Sequence, residues 1–251
     1  MKRFALGILA LSCMAFCSQA IFAQDATAVI DKAIKAHGGE EALKKVSAYS
    51  ITANGTISFM GADNAVSTKM MSKGLDHSRQ EFEADFGGNK VKGVTVIAGD
   101  KGWTSFGDMG VNPLDAAQLA NAKRMNYINA VATTLLPLKG KEFKAKLGDE
   151  SKVGDKAASV VIATGPDGKD FTLFFDKESG VLLKITAEGV VGFGGEEFKQ
   201  ETLFNEFKDI AGIKKAIKSE ALRDGEKFIT QEITEFKVLE KVDDTTFAEP
   251  K

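Results

Sequence analysis

The sequence predicts an α+β chain dominated by antiparallel strands: ten or eleven strands, with one helix ahead of the sheet and another inserted in its middle. Three observations carry this. Ile51, Ala53, Gly55 and Ile57 alternate with Thr52, Asn54, Thr56 and Ser58, the period-two signature of a half-buried strand. Similar short stretches recur, separated by Gly61-Ala62-Asp63-Asn64, Gly74, Gly87-Gly88-Asn89, Gly99-Asp100 and Gly107-Asp108, which is the spacing of a meander. One stretch, from Asn112 to Pro137, breaks the alternation and reads as a helix.

At the N-terminus, Lys2 and Arg3 precede a small and apolar run from Phe4 to Phe16, then Cys17-Ser18-Gln19 and the small-residue site ending at Ala23. This is the layout of an export signal, residues 1–23, and the run is short of the ~20 apolar residues that span a bilayer. Cleavage after Ala23 fits; Ala20, with Ser18 ahead of it, is the other position. Ala10-Leu11-Ser12-Cys13 faintly resembles a lipidation box but lacks its preferred Leu, so anchoring at Cys13 is the lesser reading. The single domain expected over 24–251 would then be exported, to the periplasm, and free of cysteine, because Cys13 and Cys17 are the only two.

After the signal, Val29, Ile30, Ala33, Ile34 and Ala36 recur at helical spacing until Gly38-Gly39, which predicts a helix over 25–37, and a further turn follows from Glu40 to Lys45. For the inserted helix, about 113–136, Asn112 is the expected N-cap, Pro113 the first helical residue and Asp115 a favourable first-turn charge. The second half returns to hairpins: Pro166-Asp167-Gly168 joins Ala158–Thr164 to Asp170–Asp176, and Arg223-Asp224-Gly225 joins Lys214–Leu222 to Lys227–Leu239. A sheet of this size must close into a barrel, fold into a sandwich, or curl and be covered by helices. Two helices, placed before and within the strands, are what the third solution needs.

Composition narrows the function. The 33 Lys+Arg against 35 Asp+Glu leave no basic footprint for nucleic acid. A mature chain without cysteine excludes thiol catalysis and Cys-ligated metals. His37 suits the end of the first helix as a cap. Asp76-His77-Ser78-Arg79 contains members of a hydrolytic set, but neighbours on a strand face opposite sides and no nucleophile elbow is present. Gly192-Phe193-Gly194-Gly195 lacks the Lys-Ser/Thr ending of a phosphate loop and reads as a turn or bulge. The pairs Glu40-Glu41, Glu196-Glu197 and Asp243-Asp244 read as solvated element ends. No catalytic residue, metal or cofactor is expected.

The 18 phenylalanines are the abundant feature. Phe82 with Phe86, Phe171 and Phe175 with Leu173, and Phe198 with Phe204 stand at even spacing and share strand faces. They read either as packed core, which would make the chain an exported structural or protein-interaction β domain, or as the lining of a lipid-sized hollow, since Phe gives contact area without a hydroxyl to satisfy. Trp103, Phe106 and Met109 ahead of the inserted helix, Met125 and Ile128 within it, and Met60, Met70 and Met71 share this ambiguity. The candidate cavity-lining residues are Phe82, Phe86, Trp103, Phe106, Met125, Ile128, Phe171, Leu173 and Phe175.

The order of these segments resembles the LolA/LolB-like superfamily of exported lipoprotein-sorting proteins. The resemblance is carried by the signal, the helix Ala28-Val29-Ile30-Asp31-Lys32-Ala33-Ile34-Lys35-Ala36-His37-Gly38-Gly39, the meander, Leu173-Phe174-Phe175-Asp176-Lys177-Glu178-Ser179-Gly180-Val181-Leu182-Leu183-Lys184, and the terminal Asp244-Thr245-Thr246-Phe247-Ala248-Glu249-Pro250. It implies an unclosed, strongly curled β-barrel of about eleven strands, with a helical lid over an apolar cavity. It also implies a carrier without covalent chemistry, whose partners are lipid or lipoprotein acyl chains and membrane proteins that exchange them.

Overall fold

The structure is a computed structural model that describes residues 26–59, 61–192 and 195–251. The export signal, Cys13, Cys17, Met60 and the centre of the Gly192–Gly195 loop lie outside the described residues. Helix α1 covers 26–36 and buries Ile30, Ala33 and Ile34. Gly38 and Gly39 stop it, both at positive φ (116° and 85°), and Gly38 packs so closely on the Gly212 carbonyl that a side chain would collide there. A short helix α2 (Glu40–Lys44) follows and buries Leu43.

Strands β1 (Ala48–Phe59), β2 (Ala62–Lys73), β3 (His77–Phe86), β4 (Asn89–Ala98), β5 (Lys101–Phe106) and β6 (Val111–Pro113) form a meander. Helix α3 (Ala116–Thr134) and a 3-10 turn (Leu136–Lys139) interrupt it. The second meander runs through β7 (Lys144–Leu147), β8 (Ser151–Val153), β9 (Lys156–Thr164), β10 (Asp170–Asp176), β11 (Leu182–Val191), β12 (Glu197–Ile210), β13 (Ile213–Arg223) and β14 (Glu226–Val238). Eleven strands have six or more residues; β6, β7 and β8 have three or four. The sheet is antiparallel throughout, in the order β6-β5-β4-β3-β2-β1-β14-β13-β12-β11-β10-β9-β7, with β8 paired beside β9. β1 pairs with β14 from Tyr49↔Val238 to Ile57↔Ile229, so the two meanders join through the first and last strands. The free edges, β6 and β7, flank α3 in the chain. The barrel is unclosed.

Helix α3 begins later than the sequence suggests. Asn112 and Pro113 are drawn into β6 opposite Thr104 and Trp103, where an edge strand tolerates a missing N–H. Asp115 is the cap instead: it accepts from the Gln118 N–H at 2.8 Å, and the Gln118 side chain accepts from the Asp115 N–H at 3.0 Å, a reciprocal capping box. The helix ends at Leu135, buried in a left-handed conformation (φ 61°). The sheet wraps around α3. Asn126 donates to the Leu75 carbonyl on one flank, Arg124 donates to the Asp170 and Glu188 carbonyls on the other, and Lys215 of β13 reaches Thr133 between them. Arg124 and every residue from Asn126 to Ile128 are buried, as are Ala130, Val131, Thr133 and Thr134. The C-terminal half of α3 is therefore enclosed, and only its first half presents an exposed side in the manner of a lid.

The packed core fills the end of the fold occupied by α1, α2 and the latter half of α3. Phe171, Leu173 and Phe175 of β10 meet Tyr127, Ile128 and Val131 of α3, with Leu182 and Ile185 of β11 and Ile30 and Ile34 of α1 in the same cluster. Each such side chain contributes roughly 1.5–3 kcal/mol by burial. The β10–β11 turn follows from its sequence: Asp176 accepts from the Glu178 and Ser179 N–H groups at 2.9 and 2.7 Å, and Gly180 takes φ 80° against Lys32 and Ala36 of α1. On the convex face, a 3-10 turn (Asp244–Phe247) packs on β3 and β4 and buries Phe247.

Candidate functional site

Beyond the core the strands continue, and their concave face is built by register. Ala53, Thr68, Phe82, Gly93 and Phe106 lie opposite one another across β1 to β5, hence on one face. It is the concave face, because Ser72 on the same side of β2 donates to Asn126 of α3. The Phe82 ring lies over Gly93, where a Cβ would stand 2.1 Å from it. Phe82 and Phe106 are 5.8 Å apart, and Phe86 meets Phe59 edge-on at 5.3 Å. Phe59 is 49% exposed, an unusual state for this side chain. From the other flank, Ile229 stands opposite Ile57, and Gln231 donates to Thr68 at 2.7 Å. This end of the concave face thus carries half-buried phenylalanine and isoleucine among polar side chains, since the same register places Asn64, Gln80, Thr95 and Thr104 on it beside Thr68 and Gln231.

The other sequence candidates are placed differently. Phe171, Leu173 and Phe175 are at most 2% exposed, and Ile128 is buried with them. Met125 packs against the same cluster. Tyr127, Phe143 and Phe171 form a ring triangle at 5.7, 5.9 and 6.4 Å. Gly102 faces Leu114 and Leu119, so its neighbour Trp103 faces the convex side, opposite Val96 and Pro113. Of the nominated residues, the structure brings Phe82, Phe86 and Phe106 together on the open concave face and leaves the rest in the core or on the reverse side.

Three solved structures share this architecture over most of their length. A LolA superfamily protein from Nitrosomonas europaea matches with a TM-score of 0.59 at 13% identity, covering 89% of this chain and 97% of that one. The chain has a LolA-like fold. A DUF1329 family protein from Desulfovibrio piger (TM-score 0.58, 15% identity, 89% and 97% covered) agrees. So does an outer membrane lipoprotein-sorting protein domain from Vibrio parahaemolyticus (TM-score 0.55, 10% identity, 90% and 97% covered). No family model and no curated protein matches the sequence.

Within this LolA-like frame, the polar residues that hold α3 are ones the sequence gives no periodic signal for. Arg124 is 2% exposed; its Nη1 donates to the Tyr127 hydroxyl and to Asp167 Oδ2, and its Nη2 to the Asp170 carbonyl. Partial burial works to raise the Asp167 carboxyl, but the Lys169 N–H, the Tyr127 hydroxyl and Arg124 together hold it below the usual carboxylate range. Lys215 is buried with Thr133 Oγ1 as its acceptor at 3.2 Å, and burial brings its pKa down to about 8. Tyr49, also fully buried, lies beside Thr133 and Ser72.

The histidines follow their sequence roles. His37 Nδ1 donates to the Ala33 carbonyl at 2.8 Å, closing the end of α1, and burial keeps the ring below its ordinary pKa. His77 pairs with Asp76 at 2.9 Å and stacks edge-on with Phe247 on the convex face. Ser78, buried, faces the concave side opposite Ile97, so its hydroxyl and the imidazole are on opposite sides of the sheet. Asp243 caps the last 3-10 turn by accepting from Thr245. A groove of about 350 Å³ is lined by Ser67, Lys69, Glu81, Glu83, Lys92, Val94 and Ser105 of the convex face, with Thr68, Phe82, Gly93 and Gly107 completing it.

Proposed function

We propose that the protein is a non-enzymatic carrier that binds the acyl chain of a lipid or lipoprotein along its open concave face. One observation carries this reading: Phe59, Phe82, Phe86 and Phe106 share that face, stand in ring contact in pairs, and stay only partly buried while an equally apolar core is filled a few residues away. An acyl chain that covered them would gain about 25 cal/mol for each Å² removed from water. The LolA-like fold supports the same reading, as does the outer membrane lipoprotein-sorting description of one solved structure that shares it. The export signal read at residues 1–23 puts the carrier in the periplasm, where inner- and outer-membrane proteins are its exchange partners.

The test is extraction of the purified protein with organic solvent and mass spectrometry of the extract, with displacement of a fluorescent fatty acid in parallel. Recovered lipid and competitive displacement are the expected results. An empty extract together with no displacement would end the reading.

A further inference from the structure

The described chain holds three arginines. Arg79 pairs with Glu81 and Arg124 with Asp167, at 2.6 and 2.9 Å. Arg223, the last residue of β13, has no ion pair or guanidinium hydrogen bond among the described residues, and its Nε is buried without a partner. Glu196 acts on it electrostatically without pairing, while burial lowers its pKa. What it has is two rings: its guanidinium lies 4.2 Å from the centre of Phe198 and 3.4 Å from that of Phe228.

Its position is on the concave face. Arg223 stands opposite Gln200 in unbroken register with Ala221 opposite Thr202, and Phe198 belongs to the core-facing side of β12. Phe228 is the extra residue of a bulge between the Ala221↔Ile229 and Leu222↔Lys227 pairs, which brings its ring to the Arg223 side; from it the apolar row continues through Ile229, opposite Ile57 in β1, to Phe59 and its contact with Phe86 in β3. Four strand spacings separate β13 from β3, on the order of 19 Å along the sheet. That is the reach of a long acyl chain.

We propose that Arg223 is the headgroup site of this face and binds the anionic end, carboxylate or phosphate, of an amphiphile whose tail lies along Ile229, Ile57, Phe59 and Phe86. The two rings fix the plane of the guanidinium, so that its N–H edges are presented as a fork, the geometry that matches a carboxylate or phosphate bidentately. Partial burial strengthens that attraction relative to water. The inference rests on the acyl-binding reading above and adds the charge of the ligand.

Hexadecanoate, hexadecyl phosphate and hexadecanol, each below its aggregation limit at pH 8, are titrated against the full exported chain carrying a neutral apolar fluorophore. The expected result is that at least one anion displaces the probe tenfold more tightly than the alcohol, the order of the two identifying the headgroup. Raising salt should weaken the anions alone. Arg223→Gln should erase the difference while leaving hexadecanol within twofold of wild type, which also certifies the variant's fold. Equal binding of all three by the wild-type chain overturns the headgroup site and leaves acyl binding standing. Displacement by none of them overturns both.

Discussion

Asp167, at the tip of the β9–β10 hairpin, accepts from Arg124 Nη1 on α3 at 2.9 Å, while its other oxygen accepts from the Tyr127 hydroxyl at 2.8 Å. A hairpin turn is thereby tied to the helix that the sheet encloses. Asp167→Ala should cost roughly 3 kcal/mol in urea unfolding, because it strands a guanidinium that is nearly out of water. Arg124→Met combined with Asp167→Leu should recover most of that loss. Because the Asp167 carboxyl is held below its ordinary value, its contribution is complete above pH 4 and fades as pH falls through its folded value. A single variant that costs less than the double would refute the tie.

Lys215 should make stability rise on the alkaline side. Its folded pKa is about 8 against an ordinary 10.5. Below pH 8 both states carry the proton and the cost of burying the cation is complete; between 8 and 10.5 only the unfolded chain keeps it, so folding gains. The gain is roughly 3 kcal/mol over that window. Lys215→Met should raise stability at pH 7 by roughly 2 kcal/mol and flatten the rise, measured as denaturation midpoints at several pH values. An unchanged slope in the variant would assign the rise elsewhere.

Gly93 lets Phe82 lie flat across its strand. Gly93→Val should expel the ring into the open concave face and lower fatty-acid affinity about tenfold, while the melting temperature moves little or improves, since Val suits a strand better than Gly. Fluorescent fatty-acid titration beside a thermal melt separates the two effects. Unaltered affinity would remove Phe82 from the binding surface.

The two halves of α3 should respond differently. Ile128→Ala, inside the enclosed half, should cost about 2–4 kcal/mol, whereas Ala117→Gly, in the exposed first half, should cost about 1 kcal/mol. Comparable losses in urea titrations would mean the helix is a lid along its whole length.

Much of this fold is legible in the residues. The Gly-punctuated alternation marks the strands, Gly38-Gly39 the end of α1, and Asp176-Lys177-Glu178-Ser179-Gly180 a turn whose hydrogen bonds are those the residue types favour. The cap of α3 is less so: Asn112-Pro113 has the residue types of a helix start, and the pairing of β6 with β5, which draws both into the sheet and leaves Asp115 as the cap, is tertiary. The candidate site is legible only as faces. Even spacing groups Phe171 with Phe175 and Phe82 with Phe86, but whether a face is filled depends on which helix lies over it, and that is tertiary. Trp103 shows the limit: one position from Gly102, it points the other way. Arg124, Lys215 and Arg223 belong to no periodic set, and only packing reveals what surrounds them.

The pairing of β1 with β14 bears on how the molecule is made. As the chain emerges from the ribosome, the first meander exists for most of synthesis with β1 as a naked edge, waiting for a partner about 170 to 190 residues away in sequence. Such an edge invites pairing with other chains, and closing so long a loop slows folding. The barrel therefore cannot be completed piecemeal, and residues 226–238, the last strand of this sheet in chain order, act as its latch.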